Sequence, residues 1–187
     1  MGLPEMPVLT RSPVVLRPFT EADVGLVQSV ADDPLIPLIT TVPTSGSRAD
    51  ALDFIHRQHN RLASGAGYSF AIADEITGEP VGQIGLWPRA LEAGRAEIGY
   101  WIAPSYRRRG YVVAALDAIS RWGLSLQAVH RLELYVEPWN EGSWRAAERV
   151  GYVREGLMRS FQRIGTERRD LYLYSLLPAD LDPAAPI

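Results

Sequence analysis

No cysteine occurs among the 187 residues, which excludes a disulfide framework, a thiolate metal site and a cysteine nucleophile. No apolar run reaches the length needed to cross a bilayer, so no membrane partner is expected. The opening residues, MGLPEMPVLTRSP, contain no signal-peptide core. The Met-Gly start would suit myristoylation, but Met6 stands where Ser or Thr is needed. A cytoplasmic location is therefore the expectation. Basic excess is also missing: the formal net charge is −3, the wrong sign for a general nucleic-acid binder, so no nucleic-acid partner is expected. Histidine is scarce, with three in all. His56 and His59 stand one helical turn apart but lack the further ligands of a zinc site, so no metal is expected.

What is present is 47% hydrophobic and 22% charged side chains, over a length that suits one domain with its own core. The most informative stretch is residues 95–112, RAEIGYWIAPSYRRRGYV. Its first half is aromatic and β-branched and reads as a strand, which Pro104 stops because it has no amide hydrogen. Apolar residues at helical spacing follow: Val112, Val113, Leu116, Ile119 and Leu126. Between them lie Arg107, Arg108, Arg109 and Gly110. A strand, a short basic loop with a glycine and a helix start together aim unpaired amides and positive charge at one spot. A pyrophosphate fits such a place.

Before this stretch, residues 14–17 read as a strand closed by Pro18. Thr20 and Asp23 resemble a capping box that opens a helix with Val24, Val27 and Val30. Residues 32–47, DDPLIPLITTVPTSGS, hold three prolines and no helical period, so a long loop is expected there. Ser47 caps a helix over about 48–64, with Ala51, Phe54, Ile55 and Leu62 on its inner side. Residues 68–73 and 80–87 read as a hairpin turning at Gly78. After the basic loop and its helix come a strand at 132–137 and a short helix at 141–150, capped by Asn140 and ended by Gly151. Strands at about 153–163 and 168–177 flank a turn at Gly165, and the tail, PADLDPAAPI, reads as a loose end.

The run from Arg107 to Val112 resembles the Arg/Gln-x-x-Gly-x-Gly/Ala motif of the GNAT acyl-CoA N-acyltransferases, with Val112 in place of the usual Gly or Ala. A second stretch, PWNEGS followed by ERVGYVREG, resembles the Asn-x-x-Ser … Gly-Phe/Tyr-x-x-Glu-Gly signature of the RimJ/RimL branch, the ribosomal-protein N-terminal acetyltransferases. Asp170 and the run Tyr174-Ser175-Leu176-Leu177 are similar to that branch too. The resemblance covers roughly residues 12–178. It implies an α/β GNAT fold: a mixed, mostly antiparallel, seven-stranded sheet with helices on both faces, in a single domain over residues 1–187.

It also implies an acetyl-CoA-dependent N-acetyltransferase that transfers an acetyl group to a primary amine by direct attack in a ternary complex. Amides from Arg108 to Val113, including Gly110, Tyr111 and Val112, are expected to take the pyrophosphate, with Arg107 and Arg109 as charge partners. The backbone of Trp101, Ile102 and Ala103 is expected to pair with the pantetheine arm, Ile102 donating to the oxyanion, and Asn140 to touch the same arm. Ser143 is the expected partner of the leaving thiolate, with Tyr135 and Tyr152 as weaker substitutes. The base is harder to place. Gln162 stands where some relatives have a carboxylate, which leaves Glu97, acting through water.

A weak base favours an easily deprotonated amine. The expected acceptor is therefore the α-amine of a peptide or protein N-terminus rather than a lysine. A small-molecule amine, another donor such as succinyl-CoA, a non-enzymatic acyl-CoA-binding module and a homodimer all remain open at this point.

Overall fold

A computed structural model describes residues 4–181. The Met-Gly start and the last six residues of the tail lie outside them; Pro178–Asp180 form a short helical turn. The sequence begins with a hairpin, β1 (Leu9–Arg11) and β2 (Val14–Arg17), in which Leu9 pairs with Leu16. Strand β1 is an eighth strand beyond the seven expected. It is three residues long and half exposed, so it carries no alternation for a pattern to reveal.

After β2 the chain enters α1 (Val24–Ser29), preceded by one tight turn over Glu21–Asp23. The capping arrangement expected at Thr20 is realised through Asp23, whose carboxylate accepts the Thr20 amide at 2.8 Å. The same carboxylate takes both guanidinium nitrogens of Arg17, each at 2.8 Å, and Asp23 is only 1% exposed. A planar fork against a carboxylate fixes orientation as well as distance. This pair pins the start of α1 to the end of β2.

Residues 32–47 were expected to be loop throughout. Instead one helical turn, α2 (Ile36–Ile39), forms within them. Asp33 Oδ1 accepts the amides of Leu35 and Ile36 at 2.9 and 2.8 Å, which starts the turn in spite of the prolines. Helix α3 (Arg48–Ala63) follows as expected, with the Ser47 hydroxyl accepting the Asp50 amide. His59 bonds the Phe19 carbonyl at 2.7 Å and His56 is exposed. No metal-holding cluster occurs among the described residues.

Strands β3 (Tyr68–Asp74), β4 (Pro80–Ala90) and β5 (Arg95–Ile102) form an antiparallel meander. Helix α4 (Tyr111–Ser125) crosses back to β6 (Arg131–Val136); then come α5 (Glu141–Val150), β7 (Val153–Ile164) and β8 (Glu167–Leu176). The sheet order is β1-β2-β3-β4-β5-β6-β8-β7. Two cores result, one per face. Phe70, Ile72, Ile84, Leu86 and Ile98 pack with Leu116 and Ile119 of α4. Ala71, Trp101 and Ala103 meet Val27, Phe54 and Ile55 of α1 and α3 on the other side. Helices thus cover both faces, as expected.

Among the described residues only the β5–β6 junction is parallel, and it is brief: Arg95, Ala96 and Glu97 pair with Arg131, Leu132 and Glu133. Beyond Glu97, β5 stays with β4 while β6 stays with β8 through Val136, and the two halves of the sheet part. Among the described residues no helix is long and apolar enough to cross a membrane.

The Arg17–Asp23 pair generates a stability prediction. Asp23→Ala strands a half-buried guanidinium and removes the acceptor of the Thr20 amide, at an expected cost of about 2–4 kcal/mol. Urea unfolding of the variant against wild type measures it. A loss under about 0.5 kcal/mol, the range of ordinary surface substitutions, would show that Arg17 simply rehydrates.

Candidate active site

The split in the sheet exposes one edge of β5. The Ala103 amide is already bonded, to the Val81 carbonyl at 3.0 Å. In an antiparallel ladder alternate residues bond one neighbour, so Trp101 and Gly99 also face β4. The amides of Ile102 and Tyr100 therefore point to the parted side. Of the three residues expected to offer backbone to pantetheine, Ile102 faces the split, whereas Trp101 and Ala103 are held within the sheet. Residue parity along the strand decides this.

At the end of β5 the chain turns through Pro104–Tyr106 into the basic loop. Arg108 and Gly110 both take left-handed backbone conformations, at φ 62° and 83°. Alternation of right- and left-handed residues turns successive amides toward a common point, a concavity suited to an anion. Among the described residues the amides of Arg108, Arg109, Gly110, Tyr111 and Val112 have no partner. The Val113 amide is different: it bonds the Gly110 carbonyl at 3.1 Å, inside the first turn of α4. The donor set thus runs from 108 to 112. A Cβ built on Gly110 meets nothing within 4 Å, so the space before these amides is open. Five unpaired amides, a helix start and exposed arginines fit a diphosphate.

The arginines divide the work. Arg109 lies over the Tyr106 ring at 5.6 Å, and Tyr106 in turn donates to Glu79. Arg107 is structural as well as charged: Nε donates to the Ile102 carbonyl at 3.0 Å, and Nη2 reaches Asp33 at 3.3 Å. It fastens α2, which Asp33 starts, to the end of β5. Tyr111 donates to Asp74 at 2.7 Å and fixes the base of the loop.

Asn140 caps α5 as expected, its side-chain oxygen accepting the Ser143 amide at 3.3 Å. Ser143's own hydroxyl takes no part in that cap. It lies 2.8 Å from the hydroxyl of Tyr100, which is also 3.2 Å from the Ser143 carbonyl. Burial pushes the Tyr100 phenol up to about 12, with the Ser143 bond opposing, so Tyr100 holds its proton at neutral pH. Tyr100 is a site residue the sequence did not reveal, because its partner lies 43 positions away. The two other tyrosines are committed to other partners, although Tyr135 lines the larger cavity. Tyr152 is buried with its hydroxyl 2.8 Å from Ser120, and Tyr135 donates to Glu133 at 3.0 Å beneath Phe161.

Two cavities, of about 710 and 800 Å³, share a wall made by Tyr100, Trp101, Asn140 and Ser143, roofed by Leu35 and Ile39 of the 32–47 segment. The first runs from Arg107, Arg108, Arg109, Gly110, Tyr111, Val112 and Val113 to that wall. The second holds Glu97, Glu137, Gln162, Trp87 and Arg61. Glu97 is no solvated strand-end charge. Its side chain is 27% exposed, and burial raises its pKa above the ordinary carboxylate value. Arg89, 3.5 Å away, opposes the rise and Glu133 adds to it.

Comparison with known proteins supports the same frame. Residues 14–153 match the family described as Acetyltransferase (GNAT) domain. An uncharacterized N-acetyltransferase, p20, of Bacillus licheniformis is 26% identical over 172 residues, 92% of this chain and 97% of that protein. The Escherichia coli [ribosomal protein uS5]-alanine N-acetyltransferase is 29% identical over 86 residues, 46% of this chain and 44% of that one. Among solved structures, Mycobacterium smegmatis RimJ in complex with CoA-disulfide superposes with a TM-score of 0.79 at 25% identity, covering 96% of this chain and 89% of that one. The family match spans most of the chain, and the chain belongs to the GNAT acetyltransferase family.

Proposed function

We propose that this acetyltransferase acts on the α-amine of a peptide or protein N-terminus, by direct attack while acetyl-CoA and acceptor are both bound. The observation that carries the reading is the shared wall. A cavity that begins at the amides assigned to the diphosphate and a cavity that holds a half-buried carboxylate meet at Ser143 and Tyr100. Binding both reactants against one wall turns a bimolecular step into a unimolecular one.

Each residue then has a defined task. The amides of residues 108–112 hold the diphosphate, and Arg108 and Arg109 add charge beside it. Asn140 lies along the path between the two. The outward amide of Ile102 donates to the oxygen that gains negative charge during attack. Acetyl-CoA supplies the thioester as acyl donor. Ser143, oriented by Tyr100 across the 2.8 Å bond, hydrogen-bonds the departing sulfur, which leaves as the thiolate and takes its proton from solvent. Glu97 takes the proton from the amine.

The Ser143 role has a direct check. Ser143→Ala is expected to lower kcat roughly ten- to a hundredfold while leaving acetyl-CoA affinity near wild type, since only a hydroxyl is lost. The cap should survive, because Asn140 makes it. A wild-type kcat under conditions where chemistry limits turnover would return Ser143 to a structural role.

Glu97 predicts a pH profile. As a base it works only when ionised, so kcat/KM rises with pH through its raised pKa, above the ordinary carboxylate range. A second rise, at about pH 7.8, belongs to an α-amine acceptor losing its own proton. Glu97→Gln should lower the rate about a hundredfold and abolish the lower limb while keeping the upper one. Persistence of the lower limb in that variant would assign it to another group.

The choice of α-amine over lysine follows from proton energetics. An α-ammonium has a pKa near ~7.8 and a lysine ammonium near ~10.4, so neutral lysine costs roughly 3.5 kcal/mol more. One carboxylate opposed by Arg89, with Gln162 across the cavity, suits the easier proton. Two matched peptides test this: one with a free N-terminus and no lysine, the other N-terminally blocked with a single lysine. All 19 basic residues of the protein are arginine, so acetyl-lysine can arise only from the peptide. Faster modification of the blocked lysine peptide would overturn the preference, and no modification of either would favour a small-molecule amine.

A further inference from the structure

The acceptor cavity contains a positive group that the transfer chemistry does not use. Gly85 and Gly99 face each other across β4 and β5, and the indole of Trp87 lies against both. A Cβ on Gly85 would come 2.2 Å from that ring and one on Gly99 3.3 Å, so two adjacent glycines make the slot that admits it. Arg61, in the last turn of α3, stacks its guanidinium over this indole at 4.8 Å. Arg61 is half-buried, and its side chain lines the cavity.

The hydrogen bonds of Arg61 are all to neutral groups. Nε donates to Gln58 Oε1 at 2.9 Å and Nη2 to the Thr41 hydroxyl at 3.3 Å. Among the described residues no carboxylate lies within ion-pair distance of it. The neighbouring charges are arginines: burial lowers the Arg61 pKa, and Arg57 and Arg89 lower it further. Burying a guanidinium among like charges costs free energy unless an anion joins it.

The guanidinium is also held in place. Gln58 is 1% exposed, and its Oε1 accepts from Ser69 and Gln83 as well as from Arg61. Gln83 Oε1 accepts from the Trp101 indole at 2.7 Å. This buried network joins Arg61 to the strand carrying Tyr100 and Ile102, so the fork is set relative to the reacting centre. A planar fork fixed on an aromatic face is a carboxylate receptor.

We propose that Arg61 is an anion-binding residue of the acceptor cavity, and that the preferred acceptor carries a carboxylate side chain in the second or third residue behind its α-amine. That position is part of the proposal, with the strand as its measure: the Trp87 ring lies against Gly99, the neighbour of Tyr100, and one residue of extended chain advances about 3.3 Å. This rests on the peptide-acceptor reading above and narrows it to acidic N-termini.

Calorimetry on the full chain saturated with CoA measures the product complex without turnover. The ligands are N-acetylated, C-terminally amidated peptides differing only in Asp against Asn at position 2 or 3, so the side chain supplies the sole carboxylate. The acidic peptide is expected to bind about tenfold tighter to the wild-type protein, the gain of one charge-assisted contact. That ratio should fall to about one in Arg61→Gln and lie between in Arg61→Lys, which keeps the charge and loses the fork. Equal binding of acid and amide to wild type overturns the proposal, as does binding of neither or a preference that survives Arg61→Gln. The wild-type comparison stands even if a variant misfolds. Failure of the peptide-acceptor reading shows separately, as acidic peptides with a free N-terminus that bind but are not acetylated.

Discussion

The three-residue contact between β5 and β6 is the constraint on which the site depends. Each strand has a stronger allegiance elsewhere: β5 is paired along its length with β4, and β6 with β8. Strands twist with a fixed hand, so two half-sheets that share only Arg95, Ala96 and Glu97 with Arg131, Leu132 and Glu133 must diverge beyond them. Divergence leaves one edge of β5 unpaired. Such an edge is ordinarily a liability, open to pairing with any extended chain. Here it offers outward amides, and the addition of an extended ligand to a strand edge uses ordinary sheet hydrogen bonding.

The parted sheet needs bracing, and the side chains that brace it are those that line the site. Arg107 binds the end of β5 through the Ile102 carbonyl and reaches Asp33, which starts the helical turn roofing both cavities. Tyr100 ties β5 to the first turn of α5 across the gap through Ser143. Gln58, Ser69 and Gln83 form a buried polar network in which every member has a partner, and it holds Trp101 on the other face. Buried networks of this kind add little net stability but strongly penalise alternative arrangements. Their work here is to hold a widened sheet at one width.

Much of this was legible in the chain. Pro104, three arginines and Gly110 mark a strand end, a basic turn and a helix start because each residue type has a local physical meaning, and the structure follows it residue by residue. Asn140 and Gly151 bound α5 for the same reason. What escaped notice depends on contact rather than on local preference. Strand β1 is too short for alternation, and α2 is started by the Asp33 side chain against two prolines. Tyr100 reads as one more aromatic in a strand until Ser143 is brought against it. Parity explains Ala103, and the first turn of a helix explains Val113: both residues are in the right stretch, but their amides are already bonded.

The placement of Glu97 joins these points. It is the last β5 residue paired with β6, so it sits at the apex where the sheet begins to part. At the apex it is partly desolvated, opposed by Arg89 and pushed upward by Glu133 opposite it, which is the setting that lifts a carboxylate toward useful basicity. Glu133 itself is held low by Arg131, Tyr135 and Arg95, against its own burial, and so remains a fixed negative charge beside Glu97. Two carboxylates at one register position are thereby separated into an ionised neighbour and a tunable one. The geometry that opens the sheet is thus also the geometry that adjusts the charge at its vertex.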